Sequence, residues 1–117
     1  MINIEKIIPH IPSNNLKVTQ AFFVANFEFI AIVGTEYYIE LKNTHFTLGL
    51  LEANGELNEQ SIYIQVKDIE VLWKNIKSNL TNYKYKELFT RHYGMKEFHV
   101  IVPETKTLLI VGEPVNV

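Results

Sequence analysis

His10, Glu97 and His99 are the side chains whose types could do metal chemistry. Two imidazoles and one carboxylate can hold a divalent ion while leaving positions open for a substrate. Glu97 and His99 stand two residues apart, so on a strand they share a face. A histidine on a half-buried strand more commonly donates to a carbonyl or faces water, and the trio therefore competes with a second candidate. Tyr38 and Tyr63 each offer a π-face for stacking and a hydroxyl for one hydrogen bond, which suits a pocket for a flat molecule. The chain has six tyrosines and seven phenylalanines. Most of these must be structural, because β geometry favours aromatics whatever the function. Trp73 falls on a helical stripe and is assigned to the core, while His45 and His92 sit beside turn-forming residues and are read as solvated. No Ser-His-Asp spacing and no glycine-rich phosphate loop is present.

The elements that must position these residues follow from periodicity. Residues 4–11 read as a strand, and Asn14 or Asn15 supplies the N-cap of a helix running through Leu16, Thr19, Phe22 and Phe23. Strands are expected at 27–33, 37–42 and 45–52, joined by Gly34-Thr35 and Asn43-Thr44. After a polar connector at 52–60 with an Asn54-Gly55 turn, a strand at 61–66 leads to Asp68 as helix cap. Ile69, Leu72, Trp73, Ile76 and Leu80 then recur at helical spacing as one apolar stripe. Strands at 85–90, 95–102 and 107–112 complete a second half, so the order is βαβββ twice. Halves of about 1–53 and 60–117 are too small to fold alone, and residues 1–117 are expected to form one domain. The fold class is α+β, with two repeats forming a curved half-barrel and a concave ligand face. Pro9 removes a ladder donor, which puts the first strand at a sheet edge or across to a second subunit.

Composition narrows the function. The chain has 117 residues, 47% of them hydrophobic, and a formal charge of -2 spread without a basic stripe. Nucleic acid is therefore not expected as a partner. The absence of cysteine excludes disulfides, thiolate zinc sites and cysteine nucleophiles. No apolar run approaches the roughly 18 residues of a membrane span, and no signal-like segment opens the chain, so a cytoplasmic protein without membrane association is expected.

Three stretches carry a family resemblance. YGMKEFHVIVPETKTLLIVGEP (93–114) resembles the closing hairpin of the bleomycin-resistance branch of the glyoxalase/bleomycin-resistance/dioxygenase (vicinal oxygen chelate) superfamily. Its turn, Val102-Pro103-Glu104-Thr105, keeps the proline and an acid but lacks the glycine that would relax a positive-φ position. The helix at 16–23 with its terminal aromatic pair and SIYIQVKDIEVLWKNI (61–76) resemble the family's two strand-helix units, and the first helix looks shortened at Ala25-Asn26-Phe27. By this resemblance, the catalytic members' metal ligands would fall at Ile8, Ser61, Leu109 and either Leu48 or Leu50. None of these is a usual ligand. The resemblance thus implies a binding member with no cofactor, a homodimer that sequesters a small aromatic or amphipathic molecule in a groove at the subunit interface. Tyr38 and Tyr63 would be stacking walls, and Ile8, Leu48 and Leu109 an apolar floor. Glu97 and His10 would be polar anchors, with Arg91 and Tyr93 at the groove mouth. A metal-dependent lyase or transferase using His10, Glu97 and His99 is the alternative.

Overall fold

Asn15 opens the first helix as its position implies, its side-chain oxygen accepting from the Val18 N–H at 3.3 Å. The computed structural model describes residues 1–115. The order is β1 (His10–Ser13), α1 (Leu16–Phe27), β2 (Ile30–Gly34), β3 (Tyr38–Asn43) and β4 (Phe46–Glu52), then β5 (Gln60–Gln65), α2 (Ile69–Ile76), β6 (Tyr85–Thr90), β7 (Met95–Ile101) and β8 (Thr107–Pro114). This is α+β with two βαβββ units, each built on a four-stranded sheet, in the orders β1-β4-β3-β2 and β5-β8-β7-β6. The chain divides into two compact units, Met1–Leu57 with Pro103–Thr105, and Asn58–Val102 with the chain from Lys106 onward.

In the first unit β1 runs parallel to β4, and β3 antiparallel to it, in a register that aligns Ile11 and Ile39 with Leu50, and Leu41 with Leu48. All five are buried and form the helix side of the sheet. Ser13, on that same side of β1, lies 2.7 Å from the Thr19 hydroxyl of α1, which fixes the face that α1 covers. The helix runs to Phe27, four residues past the expected Phe23, because Phe27 continues the buried stripe of Phe22 and Phe23. Glu28 then takes a left-handed φ of 57° as its C-cap, and the Asn43 side chain donates to the Phe27 and Glu28 carbonyls at 3.1 and 3.3 Å. Strand β1 begins at His10, not at residue 4. Ladder bonding starts where the Gly49 N–H donates to the Pro9 carbonyl. Among the described residues the isoleucines before it have no partner strand.

The second unit repeats the plan. Val111 of β8 is aligned with Phe98 and Ile64, and Leu109 with Val100 and Ile62. Trp73 of α2 stacks on Phe98 with ring centroids 5.0 Å apart, so this is the helix side. Helix α2 ends at Ile76 and tightens into a 3-10 turn through Leu80. Its cap departs from expectation. Asp68 adopts φ 56° and its side chain makes no cap bond. Glu113 of β8 accepts instead, from the Asp68 and Ile69 N–H groups at 2.9 and 3.1 Å. A carboxylate at a helix N-terminus also meets the positive end of the helix dipole.

At the tip between β7 and β8, Glu104 occupies the left-handed region at φ 65° where a glycine would be relaxed. Hydrogen bonds hold it there: the Asn14 N–H donates to the Glu104 carbonyl at 2.9 Å and the Thr19 hydroxyl donates to the Pro103 carbonyl at 2.9 Å. With that hydrogen committed, Thr19 accepts from Ser13, which itself accepts from the Asn15 N–H. Among the described residues no helix is long and apolar enough to cross a membrane.

The cap assignment makes a stability prediction. Glu113→Ala should lower the free energy of unfolding in urea by about 1–2 kcal/mol, the scale of a lost N-cap. Asp68→Gly should cost nothing or stabilise, since glycine relieves the positive φ. The reverse order of effects would show that Asp68 is the cap.

Candidate functional site

The register that sends leucine and valine to the helices sends the intervening residues to the opposite, open face of each sheet. In the first unit one row across that face reads His10, Gly49, Glu40, with Tyr38 beside it, opposite Leu51. Gly49 is what lets the row close. A Cβ there would lie 2.7 Å from both the His10 ring and the Tyr38 hydroxyl. The two rings meet edge to face over it, centroids 5.8 Å apart. The Tyr38 hydroxyl donates to Glu40 at 2.8 Å. Desolvation, then the hydrogen bond and charge of Glu40, push the phenol's pKa up.

The second unit has the corresponding row Gln65, Gly112, Glu97. Tyr63 crosses Gly112, its ring carbon and hydroxyl 3.0 and 3.2 Å from where a Cβ would stand, and Glu97 borders the same spot at 3.2 Å. The Tyr63 hydroxyl donates to Gln65 at 3.0 Å, and the residue remains 45% exposed. Burial and the charge of Glu97 raise its pKa.

Glu97 is the centre of this face. The turn between β6 and β7 uses Gly94 at φ 83°, and brings Tyr93 back so that its hydroxyl donates to Glu97 Oε1 at 2.7 Å. His99 Nε2 lies 3.0 Å from the same oxygen and 3.3 Å from Arg91 Nη2. One ring nitrogen cannot donate to Glu97 and accept from Arg91 together, and the carboxylate acceptor assigns the hydrogen to Nε2. Arg91 stacks on Phe89 at 3.4 Å and places Nε 3.6 Å from Glu97 Oε1. That nitrogen is buried and makes no hydrogen bond. Burial pushes the Glu97 carboxyl up, but the hydrogen bonds from His99 and Tyr93, with the His99 and Arg91 charges, outweigh it and hold the group below the usual carboxylate range. The Tyr93 phenol is raised, chiefly by its bond to Glu97.

The structure therefore gathers Tyr63, Arg91, Tyr93, Glu97 and His99 on one face of the second unit, and His10 with Tyr38 on one face of the first. Leu48 corrects the sequence reading. It lies on the helix side, as do Leu50 and Leu109, because β4 and β8 are pleated one residue out of step with the expected floor. The floor of each open face is a glycine. Ile8 precedes β1. Among the described residues no three His, Asp or Glu side chains form a group that could hold a metal ion. Sequence reasoning missed Glu40 and Phe89 and the two glycines. Glycine interrupting an apolar strand was the available signal.

Comparison with known proteins places this geometry. No protein-family model matches the sequence, and no curated protein matches it. Solved structures do. A bleomycin-binding protein crystallised with bleomycin superposes with TM-score 0.78 at 18% identity, covering 94% of this chain and 98% of that one. A bleomycin resistance determinant encoded on transposon Tn5 gives 0.78 at 16%, with 95% and 98% covered. The chain has the glyoxalase/bleomycin-resistance/dioxygenase fold. A lactoylglutathione lyase from Agrobacterium tumefaciens shares it too, with TM-score 0.75 at 12% identity over 94% of each chain.

The depressed Glu97 carboxyl sets a pH dependence. A group whose folded pKa is lowered stabilises fully above its unfolded value, near 4.5, and that contribution is lost as pH falls through the folded value. Urea unfolding followed from pH ~6 down to ~3 should therefore show wild type losing stability faster than Glu97→Gln. Parallel curves would mean that the cluster does not hold the ionised carboxylate.

Proposed function

We propose that this protein binds and sequesters a small aromatic or amphipathic molecule without metal chemistry, as a cytoplasmic homodimer whose ligand groove lies at the subunit interface. The observation that carries the reading is Tyr63. Its inner side rests over Gly112 and the residue is 45% exposed, so a flat ligand can stack on the outer π-face against a side chain already held in place. Tyr38 offers a second ring over Gly49, steadied by Glu40 and His10. Neighbours of the same fold include proteins named for binding bleomycin, which makes bleomycin the first probe.

Titration of the full chain with bleomycin and a panel of flat heterocycles, followed by isothermal calorimetry, should find at least one ligand. Tyr63→Ala should weaken it by about 1–3 kcal/mol, the scale of one lost stacking contact. Failure of every probe, or binding indifferent to both Tyr63→Ala and Tyr38→Ala, would defeat the reading.

The dimer is supported by the chain before β1. Ile2, Ile4 and Ile7 are 86%, 73% and 77% exposed, an extended apolar segment leading through Pro9 into the edge strand of its sheet. Burial of these isoleucines against a second copy would remove their apolar surface from water. Light scattering at micromolar concentration should give about twice the 13.6 kDa of one chain, and deletion of residues 1–7 should shift it toward monomer. A monomeric wild type would refute this assembly.

A further inference from the structure

The carboxylate of Glu97 is used from one side. Tyr93, His99 and Arg91 all address Oε1, while Oε2 makes no hydrogen bond or ion pair with any described residue. The side chain keeps 6% exposure, and Oε2 is not among the buried side-chain oxygens that lack a partner, so that exposure includes this oxygen. Two of the three groups on Oε1 are hydrogen-bond donors at 2.7 and 3.0 Å, a phenol and an imidazole. The guanidinium, at 3.6 Å, makes no hydrogen bond to the carboxylate through Nε. The Glu97 Cγ and the half-exposed Tyr63 side chain border the same spot over Gly112, close enough for the Glu97 charge to act on the Tyr63 phenol.

We propose that Glu97 Oε2 and Tyr63 together form a subsite for a cation carried on a flat ring system, an amidinium, guanidinium or ring-attached ammonium. This rests on the stacking reading above and names the ligand class for it. A cationic donor is favoured because it adds Coulomb attraction to a hydrogen bond that the carboxylate already makes charge-assisted, and because the hydrogen bonds from Tyr93 and His99 both fall on Oε1 and leave the acceptor sites of Oε2 open. An anionic ligand on Arg91 is disfavoured by the same geometry. The guanidinium lies against Phe89 on one side, its Nε is buried, and an incoming anion would meet Glu97. A planar cation also gains from the Tyr63 face, since aromatic quadrupoles attract positive charge.

The test uses two probes of one shape and different charge, 2-naphthamidine and 2-naphthamide, titrated into the full chain by NMR at pH 7. The charged probe should bind about tenfold more tightly, the equivalent of one charge-assisted hydrogen bond. In Glu97→Gln the amidine should fall to the amide's affinity with the amide unchanged, whereas Tyr63→Ala should weaken both together. Equal affinities on the unmodified chain, a comparison that needs no variant, would overturn the cation subsite and leave stacking intact. A preference for the amidine that survives Glu97→Gln would overturn it as well. If neither probe binds, the stacking reading falls and takes the subsite with it.

Discussion

The pleat of β4 and β8 governs nearly everything else in this protein. Each is the strand with a parallel neighbour on one side and an antiparallel neighbour on the other, so its register fixes the faces of two further strands. Leu48 and Leu50, like Leu109 and Val111, turn toward a helix and are buried. Once they do, period-two alternation leaves no choice for the residues between them. Gly49 and Gly112 must lie on the open face, and so must the Glu40 and Glu97 that pair with them. A slip of one residue would bury those carboxylates against the helices and expose the leucines.

The two units put the same plan to different uses. In each, a row crosses the open face from a polar residue through glycine to glutamate, and a tyrosine closes over the glycine. In the first unit, Glu40 takes the Tyr38 hydroxyl and the face stays partly open. In the second, the turn at Gly94 adds Tyr93 and Arg91 on the Oε1 side of Glu97. A buried carboxylate without such donors would protonate or destabilise the fold. Here the donors converge on one oxygen. The arrangement keeps the charge ionised and the side chain fixed, which a recognition site requires before any ligand arrives.

Most of the fold was legible because it rests on local pattern. The stripe Ile69, Leu72, Trp73 and Ile76 announced α2, and the alternation Ile62, Ile64 announced β5. Errors arose where a distant residue decided. Residues 4–8 are rich in isoleucine as a strand would be, yet among the described residues no strand pairs with them. Asp68 has the right type and place for a cap, but Glu113, 45 residues on, does the work. For the candidate site, the face that an apolar strand residue takes was the hardest thing to read. Tyr38, Tyr63, Glu97 and His10 stand on open faces, while Leu48 was assigned to the wrong one, because a run such as Thr47-Leu48-Gly49-Leu50-Leu51 carries apolar residues on both sides. Glycine at its centre was the clue, since only a residue without Cβ admits His10 and Tyr38 at 2.7 Å.

The shared architecture does not choose between lyase and binding protein, since both kinds of neighbour superpose on this chain, with TM-scores of 0.75 and 0.78. What sits on the open face must decide. A metal centre spanning one of these rows would need donor atoms in its middle strand, and both middle positions are glycine. Only the flanking residues bring donors: His10 and Glu40 in one unit, Gln65 and Glu97 in the other. Of these, Glu40 is tied to Tyr38, Gln65 to Tyr63, and Glu97 through Oε1 to Tyr93 and His99. Each of these three side chains already holds an aromatic ring or imidazole through one oxygen, so any further ligand would share it with that bond. Those bonds fix the rings and the imidazole in place, and the glycines beneath are what allow the tyrosines to lie close to the sheet.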